Sequence, residues 1–430
     1  MQRLKPTALG LGVSAMFAAA GGAHAAGFAL IEQSGSGVGN AFAGAAASAE
    51  DASTIFFNPA GMAFLPGTQV VVAGHGVDFS AKCDNCAGKN AAGGPISGGT
   101  GGDAGVLSFV PNVYASLPIG ERLSIGIGVN APFGLKTEYD DSWVGRFQGI
   151  ETELKSININ PAVAYKVTDG LSIGAGVNYQ TANATLTNAV VTPLGEGRAK
   201  VDVDGTAWGW NLGALWEPSP GTRIGASYRS QLSYSLEGTT SVALVSGVPL
   251  STAGGPTKVD IKFPDMASLS LAQTLNDRWQ LLGDVTYTWW GKIGQLDAIN
   301  TTNNTIRDKL AFNFDNAWRV SVGANYTYSD SWKFRGGLAW DQSPVKDDTR
   351  TVRLPDNDRY WLALGAQWKF TKSMALDIGY AHLFIQDADI AFTRSQTLPT
   401  GAAAPGTATT VNGTYKGSVD ILSLQLAVTF

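Results

Sequence analysis

Cysteine and histidine are nearly missing from this chain, two of one and three of the other in 430 residues, and each shortage removes a chemistry. Two thiols with no histidine nearby make an incomplete zinc site, so neither a metal nor any other cofactor is expected. A hydrolase needs a nucleophile with an organised base. Beyond position 25 only His75 and His382 remain, both inside strand-like stretches, and no enzymatic activity is expected. Long hydrophobic runs are lacking too. Past residue 25 no apolar stretch of about 18 residues occurs, which leaves no helix able to cross a membrane. Positive charge is scarce: 30 Lys and Arg stand against 35 Asp and Glu, a net charge of −5, and such a surface is unsuited to nucleic acid.

What is abundant points elsewhere. Glycine, at 53 residues, suits strand bends, turns and crowded interiors, while the 12 tryptophans suit girdles at a membrane–water interface. Met1 to Ala25 combines a basic start (Arg3, Lys5), an apolar run from Ala8 to Ala20 and the small-residue exit Ala23-His24-Ala25. That pattern is a secretory signal, residues 1–25. Its removal leaves 28 basic against 35 acidic residues, a mature net charge of −7.

The far end carries the strongest pattern. From Asp420 to Phe430, Leu422, Leu424, Leu426, Val428 and Phe430 share one face and Ser423, Gln425, Ala427 and Thr429 the other. A terminal strand with lipid on one side, a polar lumen on the other and an aromatic last residue is what an outer-membrane barrel presents at closure and to its assembly machinery. Period-2 alternation bounded by turn residues gives about fourteen strands, from Thr68–Ser80 through a third at Leu123–Glu138 to Tyr415–Phe430. Tight connectors such as Thr168-Asp-Gly170 alternate with long ones such as Ala81–Asp103, Lys346–Asn357 and Arg394–Thr414. With both termini on the tight side, both are expected in the periplasm.

Charge checks the register, because an Arg or Lys facing mid-bilayer lipid costs roughly 2–4 kcal/mol. In Trp332-Lys-Phe-Arg-Gly-Gly-Leu-Ala-Trp340 the apolar set leaves Lys333 and Arg335 on the opposite face. The same register turns Arg229, Asp284, Arg319 and Asp377 inward and Tyr228, Tyr234, Val285, Tyr287, Val320, Val322, Leu376 and Ile378 toward lipid. The expected architecture is thus an antiparallel transmembrane β-barrel of about 14 strands, residues 67–430, with a small helical hatch at 26–66 in its lumen. A barrel this wide either conducts water or carries a plug. Gly35 to Ala47 is rich in Gly and Ala around Phe42, and Asn58 can cap a helix whose first position is Pro59. A disordered periplasmic tail is the alternative for this segment.

Several of these residues form a familiar set. Ala26-Gly-Phe28, Gly37-Val-Gly39, Glu50-Asp-Ala52, Asn58-Pro-Ala-Gly-Met62 with Ala60 at its centre, and Asn130-Ala-Pro-Phe-Gly-Leu135 followed by Thr137 and Tyr139 resemble the FadL family of outer-membrane hydrophobic-compound transporters, TodX-like aromatic hydrocarbon channels included. The resemblance implies a hatch-closed barrel that takes up long-chain fatty acids or aromatic hydrocarbons passively. It also implies an internal hydrophobic pocket containing Phe28, a hydrophobic groove among the outer loops, and lateral exit where the third strand kinks. Here the kink falls on Asn130, Ala131, Pro132, Phe133 and Gly134. Pro132 lacks a ladder donor and Gly134 permits unusual backbone angles. A simple extracellular strand end at Pro132 is the bland reading.

The remaining candidates each carry two readings. Arg229, Arg319 and Arg335 could meet a carboxylate head, or pair with Asp284, Asp341, Asp377, Glu50 or Asp51 as structural charges. Trp143 and Phe147, in the connector after the third strand, fit an exposed capture groove or an outer-leaflet aromatic girdle. Gly126 and Gly128 leave room for ligand or hatch, or relieve strain in a curved sheet. Cys83 and Cys86 sit in a Gly-rich outer loop and are expected to form a disulfide. The expected surroundings are outer-membrane lipid and lipopolysaccharide, with the barrel-assembly machinery engaged during biogenesis and the chain a monomer. A general diffusion porin and a surface adhesion or receptor barrel are the competing functions.

Overall fold

A computed structural model describes residues 27–250 and 254–430, so the signal stretch and Ala26 lie outside the described residues. The alternating segments close into one antiparallel barrel of fourteen strands. In chain order these are β1 (Gln69–Lys89), β2 (Leu107–Ile119), β3 (Leu123–Asn130 and Gly134–Glu138), β4 (Glu151–Thr168), β5 (Leu171–Thr192), β6 (Gly195–Ser219), β7 (Thr222–Arg229 and Leu232–Leu244) and β8 (Gly255–Phe263 and Met266–Thr274). There follow β9 (Trp279–Thr288 and Gln295–Asn300), β10 (Ile306–Ala311 and Ala317–Thr327), β11 (Trp332–Asp341), β12 (Arg359–Lys369), β13 (Met374–Ile385 and Ala388–Arg394) and β14 (Thr409–Thr429). The ring closes where β14 pairs with β1, from Gln69 opposite Thr429 up to Lys89 opposite Thr410.

The lipid-facing and lumenal faces separate as the alternation demands. Leu422 and Leu424 are exposed while Ser423 and Gln425 are buried, and Arg229, Asp284, Arg319, Arg335 and Asp377 are all buried inside. Outward aromatics gather at both ends of the regular strands. Tyr179 lies against Trp208 and Tyr287 against Trp318 at one end, Trp279 against Tyr326 and Trp332 against Trp368 at the other. Those two belts mark the interfaces.

Two sequence expectations are corrected. Tyr234 faces the interior, buried against Phe263 with ring centroids 4.7 Å apart, because β7 breaks at Ser230–Gln231 and the interruption reverses its parity. The tight/long alternation of connectors also fails at β5 and β6, which run on together and meet in a hairpin at Thr192–Gly195.

Residues 27–66 pack inside the ring as three single-turn helices, α1 (Gly35–Val38), α2 (Ala45–Ser48) and α3 (Thr54–Phe57), and a 3-10 turn at Pro59–Phe64. Helix α1 rests on β12, β13 and β14, α2 on β7 and β8, and the 3-10 turn on β4, β5 and β6. Asn58 caps that turn: its Oδ1 accepts from Ala60 N at 3.1 Å while Nδ2 donates to Ala46 O at 2.7 Å and to Ala214 O on β6 at 2.9 Å. Pro59 occupies the first position of the turn. Wall glycines make the fit possible. A Cβ on Gly225 would come within 1.9 Å of Ala46 O, and one on Gly126 within 2.6 Å of the Ile55 and Met62 side chains. Gly128 instead makes room for the Tyr114 ring of the neighbouring strand.

Candidate functional site at the interrupted third strand

The β2–β3 ladder runs from Ile119–Leu123 up to Val113–Val129 and stops. Above it β3 is interrupted at Ala131–Phe133, and Leu107–Asn112 of β2 keep partners on the β1 side only. Backbone left open in a barrel wall must be satisfied from within the protein. The N-terminal segment does this. Leu30 N donates to Pro132 O at 2.8 Å, Gly134 N to Phe28 O at 2.9 Å, and Ala29 pairs with Phe133 as an isolated antiparallel bridge. Gln33 Nε2 donates to Ala131 O at 3.0 Å, Asn112 Nδ2 to Glu32 O at 2.8 Å, and Tyr114 OH to Gln33 O at 3.0 Å. From the other side Ser156 Oγ accepts from Phe133 N at 2.9 Å and donates to Phe133 O at 2.7 Å. Gly134 is not among the residues of positive φ, so Pro132 and the inward turn of Phe133 carry the break.

Phe28 serves a second structure at the same time. Its buried ring packs at 4.7 Å from Trp290, 5.4 Å from Phe263 and 6.0 Å from Phe133. It also lines a cavity whose walls are mainly Leu135, Leu154, Leu186, Val203, Leu236, Ile261 and Leu310. A mainly apolar lining with a few polar groups is that of a ligand pocket. Gly27 N, one residue earlier, donates to Asp356 Oδ2 at 2.9 Å. One short segment thus closes the wall and floors the pocket.

Of the two readings open for the lumenal arginines, the contacts they make are with the N-terminal segment and the wall. Arg335 NH2 meets Glu50 at 2.7 Å and NH1 meets Asp377 at 2.6 Å, with Lys333 on Glu50 at 2.8 Å. Burial would raise the Glu50 carboxyl, but Arg335 and Lys333 hold it well below the usual carboxylate range. Arg319 donates to Ala41 O at 2.7 Å and Arg229 to Phe56 O at 2.9 Å. None of the three arginines lines the apolar cavity beside Phe28. The arginine that does is Arg353, from the connector between β11 and β12. No local pattern in Thr349-Arg-Thr-Val-Arg-Leu marks it, since nothing in a connector reports which cavity it folds over.

A model of the outer membrane protein transport protein family (OMPP1/FadL/TodX) matches residues 16–430. This chain belongs to that family. It is an outer-membrane channel of the FadL/TodX type for hydrophobic compounds. The chain is 32% identical to outer membrane protein P1 of Haemophilus influenzae Rd over 97% of its own length and 98% of that protein's. It is 29% identical to the long-chain fatty acid transport protein of Escherichia coli O157:H7, over 86% and 90%. In fold it is similar to a FadL homologue of Pseudomonas aeruginosa, with a TM-score of 0.86 and 24% identity over 94% of this chain and all 100% of that one. The toluene transporter TbuX of Ralstonia pickettii superposes with a TM-score of 0.67 at 18% identity, over 92% and 99%.

In this FadL-family barrel the aromatic residues of the connector after β3 are packed rather than laid open as a groove. Trp143 is buried rather than exposed: it stacks on Tyr139 with centroids 4.1 Å apart, and its Nε1 donates to Gly149 O at 2.8 Å. Phe147 is half-buried beneath the Arg146 guanidinium. Cys83 and Cys86 are joined in a disulfide near the top of β1.

Two groups escaped the sequence because spacing hides them. His75 Nδ1 lies 2.6 Å from Ser423 Oγ and Nε2 lies 2.8 Å from Asn112 Nδ2, a Ser–His–Asn grouping drawn from three strands. Asn112 donates to both Nε2 and Glu32 O, so the ring proton is on Nδ1 and points at the serine. His75 cannot then take the serine proton, and the set works as a buried brace. Beside it, Glu32 is fully buried with neither carboxylate oxygen bonded by a donor among the described residues. Burial pushes its carboxyl up to about 7 from an ordinary 4.5, against the pull of Arg319 and Arg359.

An acid raised in this way stabilises the seated segment fully below its ordinary value and loses that contribution as pH rises through about 7. Hydrogen exchange at residues 28–34, corrected for intrinsic rate, should therefore accelerate between pH 5.5 and pH 8, and Glu32→Gln should flatten the dependence. Equal protection at both pH values in the wild type would remove Glu32 from the account.

Proposed function

We propose that this channel admits fatty acids or aromatic hydrocarbons passively, holds them in the apolar pocket, and releases them sideways through the break in β3 when residues 27–34 withdraw. The observation that supports this is the double duty of Phe28–Leu30, which complete the wall and floor the pocket together. An apolar chain held in the pocket keeps about 0.8 kcal/mol per buried methylene if it passes into lipid and forfeits it in water, so a lateral route is favourable where an aqueous one is not. Both termini lie on the periplasmic side in this reading. The chain acts as a monomer amid outer-membrane lipid and lipopolysaccharide after delivery by the barrel-assembly machinery. It is a transporter without enzymatic activity, in keeping with the proton placement at His75.

The test is binding of palmitate and of toluene to the detergent-purified protein, wild type against Phe28→Ala. Removing a buried aromatic that touches cargo forfeits roughly 1.5–3 kcal/mol, so affinity for whichever compound is cargo should fall roughly 10- to 100-fold. Saturable binding of neither compound would turn the reading toward a hydrophilic porin or a surface receptor.

A further inference from the structure

A second stretch of the wall lacks its ladder. Strand β6 pairs with β7 from Ser219–Thr222 up to Asn211–Arg229, and again above Asp204–Glu237. Between those points Gly205–Trp210 keep ladder partners only on β5, and Leu232–Leu236 only on β8. Ser230 closes the lower end of the seam, its N donating to Trp210 O and its Oγ accepting from Trp210 N, both at 2.9 Å. Above it the closure is made by side chains. Ser230–Leu236 holds one residue more than Gly205–Trp210, which turns Leu232, Tyr234 and Leu236 inward over the lumenal face of β6. A Cβ on Gly209 would come within 2.7 Å of Leu232 Cδ2, and one on Gly205 within 3.1 Å of Leu236 Cδ2.

This seam stands between lipid and the pocket. On its outside Trp208 and Trp210 are exposed, in the aromatic belt with Tyr179 and Tyr228. On its inside Ala207, Leu232 and Tyr234 share one buried cluster with Phe28 and Phe133, and Val203 and Leu236 line the apolar cavity. Unpaired backbone at membrane depth is tolerated where it lines a cavity. Neither Gly205-Thr-Ala-Trp-Gly-Trp210 nor Ser230-Gln-Leu-Ser-Tyr-Ser-Leu236 carries a charge. The interruption between β8 and β9 is shut differently, by Lys292 on Asp265 at 2.7 Å with Tyr228 OH donating to the same carboxylate at 2.8 Å. An apolar molecule would have to part an ion pair there.

We infer that the β6–β7 seam is the loading port of the pocket, through which an uncharged apolar molecule dissolved in the outer leaflet passes the Leu232 and Leu236 side chains into the cavity. The inference rests on the uptake reading and separates entry from release. Release at β3 requires residues 27–34 to withdraw, whereas rotation of two leucine side chains leaves them seated. The pocket can therefore fill while its exit is shut.

Photolabelling in proteoliposomes tests it, with a diazirine-bearing hexadecane dissolved in the bilayer as probe and labelled peptides identified by mass spectrometry. Two engineered disulfides are compared, Gly209→Cys with Leu232→Cys across the seam and Ala29→Cys with Phe133→Cys across the β3 break; heat-modifiable migration of each oxidised variant reports an intact barrel, and reductant-treated wild type controls for the Cys83–Cys86 bond. In the wild type, label should reach the pocket wall at Val203 and Leu236. Oxidising the 209–232 pair should cut that labelling about tenfold and reduction should restore it, while labelling should persist with the 29–133 pair oxidised. Loss with the 29–133 pair, or with neither, overturns the loading port and leaves the uptake reading standing. A wild-type pocket that takes no label, whether the probe is offered in the bilayer or from water, overturns both.

Discussion

Oxidising a cysteine pair placed at Ala29 and Phe133 will stop uptake, and reduction will restore it. These residues face each other between two flanking hydrogen bonds, Leu30 N to Pro132 O and Gly134 N to Phe28 O. That makes them a non-hydrogen-bonded antiparallel pair, whose Cα atoms are separated by about 4.5 Å, within the range a disulfide spans. The cross-link fixes the segment in the wall without adding bulk to the pocket. Uptake of labelled fatty acid by cells carrying the oxidised double variant should fall to that of cells lacking the channel, and dithiothreitol should bring it back. Wild-type cells given the same reductant control for the Cys83–Cys86 bond. Full uptake through the oxidised protein would mean that cargo leaves without displacing residues 28–30, and the lateral route would fall with it.

The second large effect should come from Arg335→Met. The Arg335 side chain, almost wholly buried, bridges Glu50 of the hatch and Asp377 of β13. Its loss strands two carboxylates, one retaining Lys333 and the other only the amide of Gln367. Breaking a buried pair by deleting one partner costs roughly 3–5 kcal/mol, applied where the hatch meets the wall. Single-channel recordings should show steady ion conductance in Arg335→Met where the wild type is closed; a closed mutant would show that packing alone seats the hatch. Since Glu50 is held well below its ordinary value of 4.5, its contribution is present above that value and is lost only as pH falls through the depressed one. Mild acid should therefore not mimic the mutation.

Where lipid and lumen meet across one sheet, alternation is a direct record of the environment, and β14 was readable residue by residue for that reason. The record fails where the sheet breaks or leaves the membrane. Tyr234 was assigned to lipid because nothing local announces that Ser230–Gln231 interrupts β7 and shifts its parity. Strand β1 continues to Lys89, past the Ser80 at which its apolar alternation fades, since a wall standing in water needs no greasy face. The kink was visible through Pro132, a residue with a fixed backbone consequence. What fills it was not, because pairing between residues 28–30 and 132–134 is a matter of tertiary placement. Arg229, Arg319 and Arg335 were correctly inward, yet side-chain direction does not tell a cargo-facing charge from a hatch-facing one. Only the shape of the cavity brings forward Arg353, a connector residue with no periodic context.

The hatch also bears on the order in which the molecule can be built. Residues 27–66 come first in the chain, while the strand that seals the ring around them comes last, and the two ends are tied. Gln425 Oε1 on β14 accepts from Gly35 N at 2.9 Å, and its Nε2 donates to Asp51 at 2.8 Å. Contacts between positions almost 400 residues apart form late, because chain entropy must be overcome before they contribute. Wall glycines such as Gly225 and Gly126 let the segment lie close against the strands. One side chain of the closing strand therefore answers for both ends of the molecule: Gln425 sits in the seam of the ring and at the same time holds the segment that fills it.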